Sequence, residues 1–228
     1  MKTIERFLGW PPLAVVWKDV VLETRTKDTV VSVFVFALLV IVVFNFALNP
    51  TPQSVGLVAP GILWVAFTFG GVLGLTRTFA VEKERGGMQG MLLTPVGRDE
   101  IYLGKVLSIF VLMIAVEVVT FPIFAVIYDL PLLAPGFIPV AVLATVGIAA
   151  VGTLFSAMAV NTRAREVMLP LLFLPIAVPV VVAAVEASGP ALASDPWGGA
   201  LPWLPILAVY DAVFLVVCSL AFGYVVQD

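Results

Sequence analysis

Two carboxylates stand inside long apolar runs: Glu117 within Ile101–Tyr128 and Asp211 within Leu204–Val226. A charge at the centre of a bilayer costs about 2.5–3.5 kcal/mol on insertion scales, so neither group is expected to face lipid. Two chemistries fit them. One is a polar path or proton relay, and the other is an interhelical hydrogen bond or a protonated carboxyl in a packed interface. Much other chemistry is excluded. The chain has no His, which rules out His-ligated heme, HExxH zinc sites and Ser-His-Asp catalysis by this chain alone. Its single Cys218 lies within the last apolar run and can form no intrachain disulfide. A phosphate-binding Walker loop needs Gly, four residues, then Gly-Lys-Ser/Thr. The nearest approach, Gly97 to Gly104-Lys105-Val106, has the wrong spacing and ends in Val. The chain is therefore expected to be no enzyme, to hydrolyse no ATP, and to hold no metal or cofactor of its own.

The elements that carry these residues follow from composition. Charged residues make up 12% of the chain and hydrophobic ones 61%, too little charge to wet the surface of a soluble domain of 228 residues. A helix needs roughly 20 consecutive apolar residues to cross the bilayer. Six blocks qualify: Val30–Leu48, Leu57–Thr76, Ile101–Tyr128, Phe137–Val160, Val167–Val185 and Leu204–Val226. None alternates apolar and polar residues as a barrel strand would. The expected fold is an all-α polytopic membrane domain over 1–228, with a cytoplasmic segment 1–29 and a six-helix region 30–226. The first block starts too late and runs too long for a cleaved signal peptide.

All twelve Lys and Arg residues fall on one side of this arrangement. Lys2, Arg6, Lys18, Arg25 and Lys27 precede the first span. Arg77, Lys83, Arg85, Arg98 and Lys105 lie in or beside the connection between spans two and three, and Arg163 and Arg165 between spans four and five. Cytoplasmic segments collect such residues, so both termini are expected in the cytoplasm. Trp10 and Trp17 then mark one interface and Trp197 and Trp203 the other, while Trp64 stands about seven residues inside span two.

Before the first span, Ile4, Phe7, Leu8, Leu13, Val16, Trp17 and Val20 recur at helical spacing, and Pro11-Pro12 suits a break and a new helix start. This reads as an amphipathic interfacial helix, serving as an anchor or as a mechanical element. The connection 77–100 is the longest polar stretch. Its charge is concentrated before Gly86, an apolar group of Met88, Met91, Leu92 and Leu93 follows, and Thr94-Pro95 ends it. Gly97 can open the next helix, with Asp99 and Glu100 in its first turn. Such a segment offers another protein a knob. The docking residues expected here are Glu82, Glu84, Arg85, Met91, Leu92, Leu93 and Pro95, unless the apolar cluster dips into the leaflet instead. Beyond Glu186, a proline-containing loop is expected as far as Trp203. Pro170, Pro175 and Pro179 should bend span five, and Gly70 with Gly74 permits close helix packing. The intramembrane polar or gate candidates are Trp64, Glu117, Asp211, Pro175 and Pro179.

Several segments resemble the heme exporter protein B (CcmB) family. They are Ala59-Pro60-Gly61-Ile62-Leu63-Trp64-Val65, Leu92-Leu93-Thr94-Pro95, Leu103-Gly104-Lys105-Val106, Asn161-Thr162-Arg163-Ala164-Arg165-Glu166 and Leu174-Pro175-Ile176-Ala177-Val178-Pro179. The resemblance covers essentially the whole chain. It implies an exporter permease of the ABC-2 type in the bacterial inner membrane and a homodimer. It also implies a cytoplasmic ATP-binding subunit (CcmA), and a heme-handling membrane protein (CcmC) with an associated small subunit. ATP would act through the partner, heme would be the cargo, and nucleic acid has no part. Related loops carry Gly, a small hydroxyl residue, Leu and Glu where this chain has Gly86-Gly87-Met88-Gln89-Gly90, so the usual acidic contact is missing. Two rivals remain at this level: an ABC-2 exporter of another lipid or drug, and a proton-coupled transporter using Glu117 and Asp211.

Overall fold

The computed structural model describes residues 10–84, 86–87, 90, 93–131, 135–160, 162, 165–192 and 197–226. Among the described residues seven helices stand in this order: α1 (Pro11–Thr26), α2 (Asp28–Leu48), α3 (Val55–Glu84), α4 (Arg98–Ile127), α5 (Phe137–Ala159), α6 (Arg165–Leu192) and α7 (Leu204–Val225). No strand occurs among the described residues. The last six helices are long and apolar enough to cross a membrane, and the chain is a multi-pass membrane protein.

Local chemistry explains the boundaries. Trp10 is extended, and Pro11 and Pro12 occupy the opening turn of α1, where a missing N–H and a preset φ are harmless. Lys27 alone forms the corner into α2, at φ 59°. The carboxylate of Glu23 Oε1 then accepts the Thr29 and Val30 amides at 2.9 and 2.8 Å. These are orphan donors of the first turn of α2, so a residue of α1 caps the helix that follows. At α4, Glu100 reaches back to the Gly97 amide at 3.2 Å.

Helix α5 is the centre of the bundle. Its closest neighbours are α6 and α7, and it also meets α3 and α4. Ala144, Gly147, Ala149, Ala150 and Gly152 are buried along it, and such small side chains let neighbouring backbones approach. A Cβ on Gly147 would lie 2.7 Å from Asp211 Oδ1, and one on Gly152 would strike Leu75. The Gly70 and Gly74 pair packs as its spacing suggests, with Val33 of α2 seated against both. Helices α2, α6 and α7 turn apolar faces outward, among them Val35, Leu39, Val178, Val182, Val213 and Val217. In a membrane these faces meet lipid.

Two connections are shorter than the sequence suggests. α3 continues through Arg77–Glu84, so the opening third of the expected loop 77–100 is helix. α6 runs on through Pro190 to Leu192, so Glu186–Leu192 is helix rather than loop. Both extensions are polar or proline-bearing continuations that hydropathy alone trims. Helix α6 also runs unbroken through Pro170, Pro175 and Pro179. Each proline removes a backbone donor, and between Pro175 and Pro179 Tyr210 of α7 donates its hydroxyl to the Ile176 carbonyl at 2.8 Å.

Candidate functional site

The long connection between α3 and α4 is flanked by a buried charge cluster. Glu82 lies in the last turn of α3 and Lys105 in the second turn of α4. Lys18 and Asp19 come from α1. Lys18 Nζ meets Glu82 Oε1 at 2.6 Å and Asp19 Oδ1 at 3.1 Å. Lys105 Nζ meets Glu82 Oε2 at 2.5 Å and Asp19 Oδ2 at 2.9 Å. Two ammonium groups and two carboxylates thus close a neutral ring across three helices. Lys105 is 0% exposed and Glu82 6%, whereas the Lys18 side chain keeps 45% of its surface. Burial opposes the charge on Asp19, but Lys105 and then Lys18 overcome it and hold its pKa below the usual carboxylate value. Burial likewise works against the Lys18 ammonium, yet Asp19 and Glu82 raise its pKa above that of an ordinary lysine.

Gly104 makes this ring reachable. A Cβ there would meet Val15 Cβ at 2.8 Å and the Pro12 carbonyl at 3.0 Å, so its absence lets α1 lie directly on α4. The Gly104-Lys105 pair is therefore a seat for α1 followed by the charge that holds it.

Other basic residues on this end of the bundle close helix termini. Lys83 Nζ donates to the Val160 carbonyl at 2.8 Å, just past α5, and Arg98 Nη1 donates to the Gly223 carbonyl of α7 at 2.7 Å. Cations satisfy free carbonyls there and oppose the negative end of the helix dipole. The sequence carries no signal for these pairings beyond the one-sided distribution of Lys and Arg.

The expected docking residues divide. Glu82 faces inward rather than outward, because the extra turns of α3 carry it against Lys105, where it is buried in the ion-pair ring. Glu84 is exposed, as are Thr94 and Pro95, and Leu93 is 88% exposed. Arg85, Met91 and Leu92 lie outside the described residues.

Within the bundle, Glu117 and Asp211 are both buried, as their cost in lipid requires. Thr145 of α5 donates to Glu117 Oε1 at 2.7 Å. Asp211 of α7 sits against Gly147 of α5. The two carboxylates meet opposite faces of one turn of α5, at Thr145 and Gly147, and no hydrogen bond joins them among the described residues. Trp64 is fully buried and donates its indole N–H to Ser188 Oγ at 2.8 Å, tying α3 to α6. Phe67 meets it edge-on at 5.9 Å, and Phe137 lies 6.4 Å away. Pro175 and Pro179 stand in α6, on either side of the Ile176 carbonyl that Tyr210 engages. No group of three or more metal-ligating side chains occurs among the described residues.

Comparison with known proteins adds what geometry alone does not. Residues 12–227 match the CcmB protein family. The chain belongs to the CcmB family. Among curated relatives, heme exporter protein B of Pseudomonas aeruginosa is 30% identical over 184 residues, 80% of this chain and 82% of the relative. Heme exporter protein B of Haemophilus influenzae is 26% identical over 198 residues, covering 86% and 90%. The protein of that name from Rhodobacter capsulatus is 29% identical over 154 residues, covering 66% and 70%. The CcmB match begins within α1 and runs to the end of α7. The interfacial helix and its charge ring thus lie within the matched region.

Proposed function

We propose that this chain is the membrane permease subunit of an ABC-type complex for cytochrome c maturation, with heme as the cargo or as the ligand of a chaperone that the complex releases. The match to the CcmB family over residues 12–227 carries this reading. ATP is bound and hydrolysed by a cytoplasmic partner subunit, and this chain is no enzyme and holds no cofactor. It works as a homodimer beside a heme-handling membrane protein and its small subunit. It resides in the bacterial inner membrane with both termini in the cytoplasm. Motion enters through the connection between α3 and α4, whose exposed Glu84, Leu93 and Pro95, together with Arg85, Met91 and Leu92, form the contact. The charge ring supports this route. Glu82 precedes the connection and Lys105 follows it, so a force on the connection reaches both helices and, through Lys18 and Asp19, α1 as well.

Burying several apolar side chains at this contact would contribute roughly 1.5–3 kcal/mol each before association costs. The test is Leu92→Asp in the co-expressed complex. The variant chain should still insert in the membrane but lose the ATP-binding subunit on purification, and ATP should no longer change where heme resides. Normal co-purification with unchanged ATP turnover would reject the docking role.

A further inference from the structure

A cavity of about 460 Å³ opens where the α1–α2 corner meets α3 and α4. That volume lies within the roughly 300–1,000 Å³ of ordinary ligand sites. Its wall is largely apolar: Val20 and Leu22 of α1, Val81 of α3, and Ile109, Leu112 and Ala115 of α4. On α4 the lining runs from Ser108 to Ala115, about 10 Å along the helix axis. Val111 and Ala115 are exposed, so this side of the cavity is open toward the surroundings of the bundle. In a bilayer an apolar crevice of this depth takes hydrocarbon rather than water.

The charges at the opposite rim specify what carries that hydrocarbon. Lys18, Asp19 and Glu82 border the cavity but are consumed, with Lys105, in the neutral ring. Glu23 is consumed by the amides of α2. Arg25 and Asp28 also border the cavity and are exposed. Neither side chain has an ion-pair or hydrogen-bond partner among the described residues. One exposed guanidinium and one exposed carboxylate, three positions apart in the chain, therefore border the same apolar slot.

We propose that this cavity is a site for one phospholipid of the leaflet against which α1 lies, its head group bearing both a phosphate and a primary ammonium. The phosphate meets Arg25, a fork of donors suited to phosphate oxygens. The ammonium meets Asp28, and an acyl chain fills the slot along α4. The bound lipid completes the packing between the α1–α2 corner and the spans.

The full-length protein, purified in mild detergent and stripped of lipid, is offered phosphatidylethanolamine or phosphatidylglycerol, and retained lipid is read by native mass spectrometry. One phosphatidylethanolamine per chain should be retained, about tenfold more than phosphatidylglycerol. Ala115→Trp, which fills the slot, should abolish retention, whereas Val216→Trp on the outward face of α7 should leave it unchanged. Arg25→Gln and Asp28→Asn alter exposed side chains with near-isosteric neutral groups, and each should remove the preference between the two lipids even if the Trp variant fails to fold. Equal retention of both lipids by the unaltered chain, or full retention by the Arg25 and Asp28 variants, would mean annular lipid only and overturn the proposal.

Discussion

Replacing Lys105 by Met removes the most deeply buried charge of the ring and leaves Asp19 and Glu82 facing each other with only Lys18 between them. Breaking a buried ion pair by deleting one partner costs about 3–5 kcal/mol, because the remaining charge is left without compensation. For a chain of this size each kcal/mol moves the melting temperature by about 2–4 °C, so the expected loss is roughly 6–20 °C. Lys18→Met is the control. Its side chain is 45% exposed, solvent screens its contacts, and its loss should cost about 1 kcal/mol or less. The double variant Lys105→Met with Glu82→Gln removes one charge of each sign and should be about 0.5–3 kcal/mol less damaging than the sum of its parts. Thermal unfolding of the purified chain in detergent, followed by fluorescence-detected size exclusion, measures all three. Limited proteolysis at Arg25 and Lys27 reports whether α1 has come loose. The ring also sets a pH window. Asp19 has a lowered pKa in the folded chain, so its contribution is present above about pH 3.9 and is lost as pH falls through the lower folded value. Lys18 has a raised pKa, so its contribution is present below about pH 10.4 and is lost as pH rises through the higher folded value. Protection of α1 should therefore be flat between about pH 5 and 9. Equal stability of the Lys105→Met and Lys18→Met proteins, with α1 still protected in both, would refute the reasoning.

Glu117→Gln should accumulate and support cytochrome c maturation far better than Glu117→Lys. An amide oxygen can still accept the Thr145 hydroxyl, whereas an ammonium there lacks a partner; loss of maturation by a normally accumulating Gln variant would favour a proton relay. Reporters fused after Asp228 and within 82–98 should read as cytoplasmic, given the one-sided Lys and Arg distribution, and periplasmic activity from the 82–98 fusion would overturn the proposed orientation.

The amino-acid order alone determined the number of spans and their approximate positions, because a bilayer tolerates no unsatisfied backbone and demands long apolar helices. It likewise determined the break at Pro11-Pro12, the start of α4 after Gly97 and the burial of Glu117 and Asp211, since each rests on local backbone chemistry or on the cost of charge in lipid. Glu82 marks where this reading stops. In sequence it belongs to a run of charges, Glu82-Lys83-Glu84-Arg85, that looks uniformly solvated. Only the packing of α1 on Gly104 turns Glu82 and Lys105 inward toward Lys18 and Asp19, residues 64 and 86 positions apart in the chain. The partners of Trp64, Lys83 and Arg98 were beyond the sequence for the same reason. Periodicity and hydropathy report how one helix meets its solvent, whereas a pairing between helices depends on their rotation and depth against each other, which tertiary packing alone decides.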